Sequence, residues 1–129
     1  MAIKIHKAYR DPTMDVALGK VKKYEEEFKH LIYVCSPYSG DEKKNVARAR
    51  LYCRFVLEKN RIPLAPHLLY PQFMDDRDRG RIYAINKAIL AKCAELWVFG
   101  DERSPGMKRE ILFAKNKRKT IRYIKVKGA

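Results

Sequence analysis

A carboxylate set among apolar residues near the start of a helix is the group in this chain best placed to do chemistry. In the stretch Ser104-Pro105-Gly106-Met107-Lys108-Arg109-Glu110, a serine followed by proline reads as a helix N-cap with proline at the first helical position, opening a helix to about residue 116. At about 100° per residue, Met107, Ile111 and Ala114 share one arc, and Glu110 lies about 60° from Met107 on the apolar side. Lys108, Arg109 and Lys115 take the opposite face. Two uses fit such a glutamate. It can answer the positive end of the helix, or it can be presented into a cleft where a partly desolvated acid serves as nucleophile or base. At the same helix start, the Ser104 hydroxyl and nearby backbone N–H groups suit a phosphate, Gly106 lets a ligand approach closely, and Met107 is counted with them as substrate-binding.

Further candidates sit in two loops and a second helix. Ser36-Pro37-Tyr38-Ser39-Gly40 follows an apolar run and brings Ser36, Pro37, Tyr38 and Gly40 to its end. His67 follows another short run, where a hydrogen-bonded loop residue and a substrate contact are both open readings. Asn86 lies on the helical stripe of Ile82, Ile89 and Cys93, so its amide points inward and must be met by backbone, water or ligand. Other motifs are missing. Neither G-x-x-x-x-G-K-[ST] nor G-x-G-x-x-G occurs, which argues against an NTPase and a nicotinamide enzyme. G-x-S-x-G is absent. His6, His30 and His67 have no metal-ligand spacing, so neither a metal nor a cofactor is expected.

The elements that must position these groups alternate strand and helix from residue 30 onward. Strands are expected at 30–35, 62–66, 95–99 and 120–126. Helices are expected from the Asp41 cap with Val46, Ala49, Cys53, Val56 and Leu57 on one face, at about 78–93, and from Ser104 to about residue 116. A Pro-rich loop joins the second strand to the second of these helices. This pattern predicts an α/β, single Rossmann/flavodoxin-like three-layer domain with a mostly parallel sheet at 30–129. Ligands of such sheets bind beyond the carboxyl ends of the strands, where strand order reverses. Residues 1–29 read as an N-terminal strand-helix arm, with a strand at 2–8 and an amphipathic helix carrying Ala17, Val21, Tyr24 and Phe28. Such an arm packs on the domain or on a second subunit.

Composition bounds the setting. A chain of 129 residues with 47% hydrophobic and 34% charged residues suits one globular domain rather than a disordered segment. No apolar run reaches the roughly 20 residues of a membrane span. The opening MAIKIHKAYRDP lacks the apolar core of a secretion signal, and three cysteines without C-x-x-C spacing read as reduced core thiols, so a cytoplasmic protein is expected. The net charge is +14, with ten basic groups and one acidic group after residue 102. That patch can be a solvated face, an attraction for a small phosphorylated substrate, or a nucleic-acid surface; no nucleic-acid-binding signature accompanies it.

Tyr33-Val34-Cys35 with the Ser/Pro/Gly loop after it, and Ser104-x-Gly106-x-x-x-Glu110 after an apolar strand, resemble the nucleoside 2-deoxyribosyltransferase superfamily. That group includes deoxynucleoside 5'-monophosphate N-glycosidases. The likeness runs over about residues 30–125 and is nearest to a phage and bacterial branch with Y-x-C-S-P-Y-S-G, A-P-H and E-L-W-V-F-G. The resemblance implies that Glu110 is the nucleophile that attacks C1' of the sugar, with Tyr33 beside it. It sets Ser104 where monophosphate-hydrolysing members carry serine and nucleoside-transferring members aspartate. Asn86 and Ala94 stand where the family carries aspartates. The implied activity is N-glycosidic bond cleavage or deoxyribosyl transfer on a nucleoside or its 5'-monophosphate, by a homo-oligomer without cofactor. Two alternatives stay open: a nucleotide-binding protein without turnover, and a nucleic-acid-binding module using the basic C-terminal patch.

Overall fold

Two segments decide the architecture. LIYVC (Leu31–Cys35, β1) and ELWVF (Glu95–Phe99, β3) are unbroken β-branched and aromatic runs, the pattern of strands covered on both faces, and all but the first residue of each is buried. They pair in parallel, with Tyr33 opposite Leu96 and Cys35 opposite Val98. β2 (Ile62–Leu64) flanks β1 and β4 (Thr120–Ile124) flanks β3, so the sheet runs β2-β1-β3-β4 and is parallel throughout. Pro63, which has no N–H to give, is accommodated because β2 is an edge strand. The structure, a computed structural model, describes residues 12–127; the strand expected at residues 2–8 lies outside them.

The helical connections cover both faces. α2 (Glu42–Glu58) joins β1 to β2, α4 (Arg79–Lys92) leads into β3, and α5 (Pro105–Asn116) joins β3 to β4. Strand alternation sorts the core. Tyr33, Cys35, Leu96 and Val98 face α4 and α5, meeting Leu90, Cys93, Met107, Ile111 and Ala114. Ile32, Val34, Trp97 and Phe99 face α2, meeting Tyr52 and Val56. This is the three-layer flavodoxin-like arrangement expected from the alternation of elements. Cys35, Cys53 and Cys93 are free thiols, and burial pushes the last two up to about 11, which keeps them unreactive.

Three local expectations need correction. The Pro-rich segment is not a plain loop: Pro66 opens a short helix, α3 (Pro66–Leu69), and two 3-10 turns follow at Tyr70–Gln72 and Asp76–Asp78, the latter closed by a capping box between Asp75 and Asp78. In α2 the buried residues are Asn45, Ala49, Tyr52 and Val56, and Leu57 is exposed. Tyr52 turns inward because its ring stacks on Phe99, 4.6 Å between centroids. Asn45 turns inward because its Nδ2 donates to the carbonyls of Tyr38 and Ser39, at 3.0 and 3.1 Å. In α4 only Leu90 is fully buried, since the first turns run beside a cleft rather than over the sheet.

The N-terminal helix, α1 (Pro12–Glu27), carries Leu18, Val21 and Tyr24 about half exposed. Phe28 meets Tyr24 edge-on at 6.1 Å. Among the described residues no helix is long and apolar enough to cross a membrane.

Asn45 gives a direct test of how the β1 loop is held. Asn45→Ala leaves two carbonyls without their donor and is expected to lower stability by about 1–2 kcal/mol, read from urea denaturation. Asn45→Asp, which keeps the shape but cannot donate, should lose a similar amount. A loss within a few tenths of a kcal/mol in both means the loop holds itself.

Candidate active site

The chain leaves β1 toward β2 over one face of the sheet and leaves β3 toward β4 over the other. The carboxyl ends of β1 and β3 therefore splay apart, the place where open parallel sheets bind ligands. A cleft of about 1050 Å³ opens there, at the roomy end of small-molecule sites. β1 brings Tyr33 to its wall, and the following loop adds Ser36 and Tyr38. His67 comes from α3, Asn86 from α4, and Ser104, Gly106 and Glu110 from the start of α5.

The other three candidates support the wall instead of forming it. Pro37 borders a small hollow of about 30 Å³ with Asn45 and Tyr52. Gly40 is an exposed turn residue at φ 99°, a backbone state that favours glycine. Met107 is 1% exposed, packed in the core, while its N–H donates to Ser104 Oγ at 3.2 Å.

Glu110 is held by its own helix. The Ser104 cap and Pro105 at N1 start α5, and Met107, Ile111 and Ala114 bury its inner face, leaving Glu110 beside them at the cleft. One of its oxygens, Oε2, is buried with no hydrogen-bond partner. Burial pushes the carboxyl up to about 7, against the pull of the Tyr33 hydroxyl and the Arg109 guanidinium. Tyr33, 1% exposed, is raised well above the usual phenol range, by burial first and by the Glu110 charge second. The two groups form one pair: a phenol that stays protonated next to a partly buried carboxyl poised near neutrality.

In the same cleft, Ser36 Oγ and His67 Nε2 are hydrogen bonded at 2.9 Å. Burial lowers the His67 pKa to about 4, so the imidazole is neutral at physiological pH. The Tyr38 ring lies 6.2 Å from it. Asn86 Oδ1 is buried without a partner. Of the four buried side-chain atoms in that condition among the described residues, two, Asn86 Oδ1 and Glu110 Oε2, belong to cleft residues. A Cβ at Gly106 would come no nearer than 3.8 Å to protein atoms, so the room that glycine leaves belongs to the cleft.

Several wall residues were not among the candidates. Tyr83, Lys87 and Leu90 line the cleft with Asn86; they share its face of α4 at i, i+3, i+4 and i+7, but their mixed polar and apolar types give that face no periodic signal in the sequence. Arg109 was placed on the outer face of α5, yet its guanidinium reaches across to lie 5.2 Å from the Tyr83 ring centre. Lys87 sits 5.3 Å from the Phe113 ring centre. With Arg79 at the rim, the cleft carries three cations against Glu110, the one carboxylate among its described lining residues.

A family model described as a domain of unknown function (DUF7768) matches residues 30–124. No curated protein matches the chain. Among solved structures, the fold is similar to a 2-deoxyribosyltransferase from Leishmania mexicana, with TM-score 0.59 and 16% identity over 75% of this chain and 65% of that one. It is also similar to a 2-deoxyribosyltransferase from Bacillus psychrosaccharolyticus, with TM-score 0.54 and 15% identity over 77% and 74%. The chain thus spans about 65% of the length of the Leishmania protein.

Glu110 and His67 have opposite effects on stability as pH changes. A carboxyl raised from 4.5 to about 7 binds its proton more tightly when folded, so it lowers stability as pH climbs between those values. A histidine lowered from 6.5 to about 4 binds its proton more tightly when unfolded, so it raises stability over that window. In the parent the two slopes oppose each other. Glu110→Gln is expected to unmask a stability gain from pH 4 to 6.5, on the order of 2–3 kcal/mol relative to parent. His67→Gln should leave a decline of similar size from 4.5 to 7, on the order of 2–3 kcal/mol. Melting curves of the three proteins across pH check both signs.

Proposed function

The chain belongs to the family described as a domain of unknown function (DUF7768), and we propose that it cleaves or transfers at the N-glycosidic bond of a deoxynucleoside or its 5'-monophosphate. The observation that carries this reading is Glu110, a partly buried carboxylate with one unpaired oxygen, beside Tyr33 in a cleft with ample room for a nucleotide. The fold shared with two 2-deoxyribosyltransferases supports it.

In this reading the ionised Glu110 attacks C1' as the bond to the base breaks and charge develops on the sugar. A close carboxylate traps that oxocarbenium-like centre as a covalent ester, and water or a second base then takes the sugar, as in retaining glycosidases. Tyr33 orients the carboxylate. Gly106 clears space along α5, and the Ser104 hydroxyl with the first N–H groups of the helix receives a 5'-phosphate. Arg79 and Arg109 add positive charge at the rim. Homo-oligomerisation belongs to the same proposal, with the exposed Leu18, Val21 and Tyr24 of α1 as the surface it would cover. A second reading, nucleotide binding without turnover, is favoured by Asn86, an amide where a proton donor to the base would be useful.

Incubation with a panel of deoxynucleosides and their monophosphates should release free base. Glu110→Gln is expected to cut release by about a thousandfold or more while nucleotide binding persists. A parent that binds nucleotide and never releases base establishes the second reading instead. Ser104→Asp sets a negative charge against the phosphate and removes a charge-assisted bond, so monophosphate affinity should fall by at least about tenfold with little change for the nucleoside. Equal parental affinity for nucleoside and monophosphate contradicts the phosphate site.

A further inference from the structure

The proposed cleavage leaves open how the base departs, and the cleft bears on it. When a carbon–nitrogen bond breaks, its electron pair stays on the base, which must either be protonated as it leaves or carry the charge away. Protonation requires an acid. Among the described lining residues the single carboxylate is Glu110, and a carboxylate spent as the nucleophile cannot deliver a proton in the same step. The imidazole in the cleft, His67, is engaged by Ser36 at 2.9 Å, and burial keeps it unprotonated. Phenol, serine hydroxyl, ammonium and guanidinium groups and the Asn116 amide complete the polar wall, and none of these classes gives up a proton readily near neutrality. Asn86 offers the departing base an amide, with a buried Oδ1 that has no partner. An amide donates hydrogen bonds but transfers no proton.

We propose that the site is selective for uracil-class bases, the pyrimidine 2,4-diones, which leave as ring anions stabilised by the Asn86 amide. The inference rests on the glycosidic reading of the cleft. A 2,4-dione anion spreads its charge over two carbonyl oxygens, which neutral donors such as Asn86 Nδ2 can meet. Cytosine, and the purines, depart readily only when a ring nitrogen is protonated, and nothing on this wall supplies that proton. The step balances: a Glu110 oxygen forms the bond to C1', the C1'–N bond breaks, and its electron pair leaves on the base. Water then attacks C1', freeing the sugar and the Glu110 carboxylate. The proton that water sheds equals the one the base anion takes up.

The test compares bases on one sugar. Deoxyuridine, thymidine, deoxycytidine and deoxyadenosine, each as nucleoside and 5'-monophosphate, are incubated with the parent protein and free base is quantified. A missing general acid penalises poor leaving groups by about a hundredfold or more, so uracil and thymine should appear at least that much faster than cytosine or adenine. Asn86→Asp, which introduces an acid at that position, is expected to narrow the uracil-to-cytosine ratio by about tenfold or more. Cytosine or adenine release as fast as uracil overturns the inference while leaving glycosidic cleavage standing. A ratio that Asn86→Asp leaves unmoved removes Asn86 from the assignment and overturns it as well. Nucleotide binding with no release of any base overturns the glycosidic reading itself, and the parent panel alone separates these outcomes even where the variant does not fold.

Discussion

A carboxylate oxygen kept out of water with no partner costs a protein stability, and a fold holds one only where surrounding contacts leave the side chain no better place. Glu110 Oε2 is in that condition, and much of the molecule can be read as the means of holding it. Three apolar residues of α5, Met107, Ile111 and Ala114, are buried against the sheet, so the helix cannot rotate to bring the glutamate to solvent without exposing them. The Ser104 side chain and Pro105 fix where that helix begins. Beneath it, Tyr33 is locked in the central strand by neighbours on both sides, and its phenol is the group Glu110 meets.

The loop side of the cleft is built with equal economy. The loop after β1 has no regular hydrogen bonding to hold it, and Asn45 donates from α2 to two of its carbonyls. That anchoring fixes Ser36, which is 7% exposed and bonded to His67. Two helices on opposite faces of the sheet therefore determine a single site: α5 carries the acid, and α2 holds the loop that faces it. The crossing of the chain between faces at β1 and β3 makes this possible, because both strand ends open into the same gap. The hydrogen-bond network in the gap is incomplete, with Asn86 Oδ1 and Glu110 Oε2 both unmet. Both atoms belong to residues that line the cleft, so the two unmet groups lie at its wall and not in the apolar core.

The architecture was legible in the sequence because β1 and β3 are continuous apolar runs and α5 carries an N-cap, an N1 proline and a clear stripe. Glu110 was legible for the same reason, as a charge that breaks an otherwise apolar arc. The side chains that misled did so through tertiary contacts that no helical wheel contains. Asn45 and Tyr52 displaced Val46 and Leu57 from the inner face of α2, one by serving a loop seven residues upstream and one by stacking on a strand residue 47 positions downstream. Arg109 starts on the outer face of α5, but its long side chain folds over Tyr83, so the direction of its Cβ said little about the position of its charge. Met107 looked like a ligand contact from its place at the helix start; its apolar side chain is better served by the core, and only its N–H takes part in the cap.

The basic C-terminal third shows how composition and structure differ as guides to a partner. After residue 102 there are ten basic groups and one acidic group, a density that invites comparison with phosphate-binding tracks. Many of those groups already have local work. Arg122 bonds Glu95 at 2.6 Å, and Lys125 pairs with Asp101 at 3.2 Å. Lys119 donates to the carbonyls of Ala91 and Cys93, closing the end of α4. Arg103 reaches the Gly100 carbonyl at 2.7 Å and lies over Tyr123. Arg122 and Lys125 also sit on or just past β4, an exposed edge strand, where charge discourages pairing with another sheet. What remains for the cleft is Arg109, joined there from α4 by Lys87 and by Arg79, which also pairs with Asp76 at 3.7 Å. Positive charge at the cleft thus comes from two helices, α4 and α5, and only one of its three cations belongs to the basic C-terminal third.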